Sequence, residues 1–119
     1  MISNRILQTT VEGLKAISRV DLCIVDADKN VAAKTFDNVS ECLADAISFI
    51  DSPAESQAVN GFQFFKVEDD GNLEDIIMAR GTSDDVYMVG KLTAFQIQNL
   101  LVAYKERFDK DNFIKNLLL

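Results

Sequence analysis

The stretch of this 119-residue chain best suited to holding a ligand is Arg80-Gly81-Thr82-Ser83. A guanidinium is followed by a flexible glycine, two hydroxyls and the start of a helix. Helix N-termini attract anions through their unpaired N–H groups. A small organic acid is the effector this chemistry predicts. Arg80 also ends an apolar strand, where a charge needs a partner. That partner is either a ligand carboxylate or one of the chain's own acids, Asp84, Asp85 or Asp75.

Other chemistry is sparse. Asp26-x-Asp28-x-Asn30, with Asp37 further on, has the opening of a calcium loop. Val31 stands where that loop needs glycine, and the closing ligand is Asp instead of Glu, so an ordinary hairpin turn is the expectation. The chain has no histidine, which excludes a histidine-based triad or zinc site. Cys23 and Cys42 lie in apolar surroundings and read as core thiols. Lys34 and Lys66 read as solvated strand positions, and Phe62, Phe64 and Phe65 as core. No phosphate-binding glycine loop, nucleophile elbow or CxxC is present. We therefore predict no enzyme, no metal and no cofactor.

The elements that must position Arg80–Ser83 follow from periodicity. Ser3–Ser18 is a helix capped by Ser3, its apolar side made by Ile6, Leu7, Thr10, Val11, Leu14 and Ile17. Leu22–Val25 is apolar on both faces and reads as a central strand. The turn Asp26–Asn30 joins it to a strand over Val31–Phe36. Asn38 with Glu41 fits a capping box for a helix over Val39–Ile50 that Pro53 ends. Residues 54–60 read as a polar connector, with one further helical turn as the alternative. Phe62–Val67 and Leu73–Arg80 are strands joined across Asp69-Asp-Gly-Asn72.

From Ser83 onward the pattern is helical, with a strand over Val86–Val89 as the alternative for its start. One side carries Val86, Val89, Gly90, Thr93, Ile97, Leu100, Leu101, Tyr104 and Phe108. A second apolar group, Met88, Leu92, Phe95, Val102 and Ala103, lies roughly opposite. A helix resting on one sheet needs a single apolar face. The second face is either sandwiched within the monomer or, at Met88, Leu92, Phe95 and Val102, the contact of a homodimer. After Asp109 the pattern resumes and ends on three leucines, the mark of a chain cut from a longer protein.

Length fits one domain spanning residues 1–119. A net charge of −7 opposes nucleic acid and anionic membrane as partners. No apolar run reaches the ~20 residues of a membrane span, and no signal peptide opens the chain, so we expect a cytoplasmic protein. Helix, hairpin, helix, hairpin, helix predicts an α+β fold, an antiparallel sheet flanked by helices with a long C-terminal helix. PAS, GAF, roadblock and profilin-like domains share that layout.

Three segments carry a more specific likeness: residues 14–28, Asp51-Ser-Pro-Ala-Glu-Ser-Gln57, and Gly81-Thr-Ser-Asp-Asp-Val-Tyr-Met-Val-Gly-Lys91 continuing through residues 100–118. Together they resemble the N-terminal region of bacterial transcription regulators of the sugar-diacid-utilisation type (CdaR-like, related to PucR). The resemblance implies an effector-sensing and dimerising domain that meets DNA only through a C-terminal helix-turn-helix outside this chain. An effector would then lie between the sheet and the helix over residues 39–50. The alternative is a roadblock- or profilin-like interaction scaffold without a small-molecule ligand, its core filled by Phe36, Phe49, Phe62, Phe64 and Phe65.

Overall fold

A computed structural model describes residues 2–118, with side chains through Arg107. Its elements are α1 (Asn4–Ser18), β1 (Leu22–Asp26), β2 (Val31–Lys34), α2 (Ser40–Ile50), β3 (Ser56–Val59), β4 (Phe62–Asp69), β5 (Asn72–Arg80) and α3 (Asp84–Leu118). The five strands form one antiparallel sheet in the order β2-β1-β5-β4-β3. The fold is α+β, as the sequence pattern predicts.

Side-chain alternation along the strands divides the core in two. Leu22, Ile24, Phe65, Val67, Ile77 and Ala79 point to one face, where α1 and α3 cover them with Leu7, Val11, Ile97 and Leu101. Cys23, Val25, Phe62, Phe64, Ile76 and Met78 point to the other, under Cys42, Ala46 and Phe49 of α2. This explains why β1 and β5 are apolar on both faces: they are central and doubly covered.

The elements differ from expectation in several places. Residues 54–60 contain a fifth strand, β3, paired along its length with β4 from Ser56↔Phe65 to Val59↔Phe62. Its side chains are nearly all exposed, so backbone pairing holds it and no apolar alternation marks it. The β2 strand stops at Lys34, short of Phe36. The capping box at Asn38 and Glu41 does not form. Val39 precedes α2 without a side-chain cap, and main-chain bonds to the Asn38 and Val39 carbonyls close the first turn. Val39 is buried, so packing anchors this helix start instead. Ile6 and Ile17 are exposed at 47% and 85%, because only Leu7 and Val11 of α1 reach the core fully.

The two sheet edges differ. On β2, the Gln8 carboxamide donates to the Lys34 carbonyl at 2.8 Å and accepts from the Lys34 N–H at 2.9 Å. A side chain from α1 thus occupies the place of a neighbouring strand. The other edge, β3, is exposed.

Candidate functional site

Arg80 lies at the end of β5, next to β4 through its pairing with Phe62. Its guanidinium stands 4.5 Å from the Phe36 ring centroid and 5.5 Å from that of Phe62, and the two rings stack at 5.9 Å. Its carboxylate partner is Asp21 at 3.8 Å, which replaces the expected Asp84, Asp85 or Asp75. Asp21 sits just before β1, and Arg80 N–H donates to the Asp21 carbonyl, so strand pairing brings the two together. Partial burial alone would raise the Asp21 pKa. Hydrogen bonds from Lys15 and Thr35, with the charges of Lys15 and Arg80, outweigh that and hold it below the usual carboxylate value.

Gly81 follows with φ +128°, a conformation that suits glycine. Its N–H donates to the Gly61 carbonyl at 2.7 Å. Gln63 reaches under the turn and donates to the carbonyls of Gly81 at 3.1 Å and Ser83 at 3.2 Å. Ser83 Oγ accepts from Val86 N–H at 3.3 Å, which is the predicted N-cap. Thr82 is exposed. Arg80, Gly81 and Ser83 thus each have a partner inside the chain.

The Asp26 turn is a hairpin turn. Asp26 Oδ1 accepts from the N–H groups of Asp28 and Asn30, both at 2.9 Å, so its carboxylate organises the backbone. Nearby on β5, Asp75 is buried. Burial, then the charges of Glu74 and Asp26, push its pKa up to about 6. On the α2 face, burial pushes the Cys23 thiol up to about 12, with Cys42 adding to the effect and Lys34 opposing it. Both cysteines are buried free thiols, as their context predicts.

The space under α2 is filled. Phe49 and Phe64 are 1% and 0% exposed with ring centroids 5.8 Å apart. Lys66 stands 4.8 Å from the Phe49 ring and donates to the Ser52 carbonyl. An effector between sheet and α2 would have to displace Phe49.

The most prominent surface lies on α3. Its sheet-facing side packs so closely that Gly90 rests on the Phe65 ring. Thr93 and Ile97 are fully buried, and the Thr93 hydroxyl donates back to the Val89 carbonyl at 2.7 Å. Helix, not strand, begins the segment at Val86–Val89. The opposite side is bare: Met88, Leu92, Phe95 and Val102 are 60%, 55%, 64% and 47% exposed. The monomer-sandwich alternative is therefore overturned among the described residues; no element of the domain covers this face. Tyr104, expected on the sheet side, is 47% exposed. The sheet ends there: Lys105 pairs with Asp69 at 3.7 Å and Asp70 at 2.7 Å, at the tip of the β4–β5 hairpin. The side chains of Phe108 and of residues 109–119, with their leucine ending, lie outside the described residues.

No family model matches the sequence, and no curated protein matches it. Among solved structures, the chain is similar to Myxococcus xanthus MglB, with a TM-score of 0.57 and 9% sequence identity over 87% of this chain and 94% of that one. At such identity the likeness concerns the fold alone.

Proposed function

We propose that this domain is a protein-interaction and dimerisation module, with the outer face of α3 as its contact surface. The observation that carries this reading is the exposure of Met88, Leu92, Phe95 and Val102 on a helix whose other side is already packed on the sheet. Large side chains left in water in one stripe are what an interface buries. Two copies meeting on this stripe would remove all four side chains from water together, and a specific interface needs on the order of 1,000 Å² of buried surface or more. The partner is a second copy of this chain. The filled space under α2 supports a scaffold over a sensor, as does the likeness to MglB, whose fold is roadblock-like.

The test is the solution mass by sedimentation, for the chain and for a Phe95→Asp, Val102→Asp variant checked for folding by circular dichroism. A dimer that becomes a folded monomer is the expected result. A wild-type monomer across the micromolar range would refute it.

A second reading places this module as the N-terminal sensory part of a sugar-diacid-type regulator, DNA being contacted by a separate helix-turn-helix. The residue resemblance over residues 14–28, 51–57 and 81–118 favours it. A rise in melting temperature with a panel of sugar diacids, lost in Arg80→Ala, would support it. No shift with any diacid would remove the effector.

A further inference from the structure

We propose that the two α3 helices of the dimer run parallel and in register, with Asn99 of one copy against Asn99 of the other. This rests on the dimer reading above and adds the orientation.

The exposed residues are spaced four and three apart: Met88, Leu92, Phe95, Asn99, Val102. That is the alternation of core positions in a coiled coil. Four of the five are apolar, and all five are exposed. The sheet-contacting residues Gly90, Thr93 and Ile97 fall on the opposite side of the helix. The seam and the sheet contact therefore do not compete, and a second helix can lie along the seam with each sheet outside the pair.

Asn99 decides the orientation. A parallel, in-register pair sets Asn99 beside Asn99, where the two amides hydrogen-bond each other. One such asparagine in a seam fixes register and pairing at some cost in stability. An antiparallel pair that overlaps the same apolar residues centres on Phe95 and sets Met88 against Val102. Like charges meet at the seam's end in either arrangement, Glu106 against Glu106 when parallel and against Asp84 when antiparallel, so charge does not choose; but Asn99 in the antiparallel pair falls opposite Lys91 and Leu92, which leaves a buried amide poorly partnered. Unpaired amides in a seam are costly. Charge does not oppose self-association along the seam: in a chain of net −7, residues 86–105 contain no acid and two lysines.

Cross-linking of the whole chain separates the arrangements. Cys23 and Cys42 are buried, so a cysteine introduced on α3 is the accessible thiol. With dissolved oxygen as oxidant, Leu92→Cys, which keeps Asn99 and meets its own copy only in the parallel register, should give a covalent dimer in most of the protein. A mixture of Met88→Cys and mass-tagged Val102→Cys should give each protein joined to itself and no mixed species above the wild-type background. Asn99→Leu removes the amide pair, so adding it to both cysteine variants should let mixed species appear. Mixed species alone from the first mixture, with no Leu92→Cys cross-link, would overturn the parallel register while the sedimenting dimer left the interface standing. A sedimenting monomer would overturn both.

Discussion

The contact between Gly90 and Phe65 turns an ordinarily stabilising substitution into a damaging one. Alanine in place of glycine inside a helix gains about 1 kcal/mol from a less flexible unfolded chain and better helix propensity. At Gly90, however, an added Cβ would stand 2.2 Å from Cε2 of Phe65 and 3.0 Å from Cδ2 and Cζ. Comfortable carbon–carbon contact begins near 3.5 Å. The ring has little room to retreat, being 4% exposed and 5.3 Å from the Tyr87 ring. Overpacking of this kind costs about 1–3 kcal/mol, and the distance argues for the upper end. The net loss for Gly90→Ala is then about 2 kcal/mol, or roughly 8 °C in Tm for a domain of this size. Gly13 in α1 is the control, because a Cβ there meets nothing within 4 Å. Gly13→Ala should gain about 1 kcal/mol from the same propensity effect. Urea unfolding at fixed protein concentration, followed by far-UV circular dichroism, measures both. In a Phe65→Leu background the Gly90→Ala penalty should largely vanish. A Gly90→Ala chain as stable as wild type would refute the close packing of α3 on β4.

Two further outcomes follow from single residues. The Asp75 carboxyl holds its proton more tightly folded than unfolded, since burial raises it from 3.8 to about 6. Its contribution to stability is therefore full below about pH 4 and falls away as pH rises through about 6. Asp75→Asn should be more stable than wild type by up to about 3 kcal/mol at neutral pH and no different near about pH 3.5, as read by urea unfolding across pH. Gly81→Ala combines a φ of +128° with a Cβ 2.7 Å from Cγ2 of Val86. It should cost about 2 kcal/mol or more in thermal unfolding, because strain and clash act together.

Strong periodicity made most of this fold legible. Cys42 and Ala46 are buried on α2 where the spacing from Val39 to Ile50 places its apolar side, while Phe49, outside that spacing, is buried as well. The turn at Asp70-Gly71 follows from residue chemistry alone, and both residues adopt positive φ. The missing strand, β3, has no apolar face to announce it, being held at an edge by the β4 backbone. Its signal was the pair Asn60-Gly61, which also takes positive φ at both residues and joins β3 to β4 as a two-residue turn. Arg80 was legible as a charge needing a partner. Its partner, Asp21, was not, because 59 positions separate them and only the β1–β5 pairing brings them near. The bare face of α3 was visible as a second apolar stripe; that nothing in the domain covers it required the fold.

The Gln8 carboxamide on Lys34 has a consequence for assembly. A sheet with two free edges can add a neighbour at either end, and each added copy offers a fresh edge, which is how open fibres grow. Here the Gln8 carboxamide of α1 takes the strand-pairing groups of Lys34 at the end of β2, so a strand adding there would have to displace it, whereas β3 is exposed. Two such sheets joined edge to edge at β3 would end in a β2 edge blocked at Lys34 on each side, which opposes further strand addition there. The chain thus leaves one end of its sheet available and guards the other, so sheet extension by itself favours a pair over a fibre.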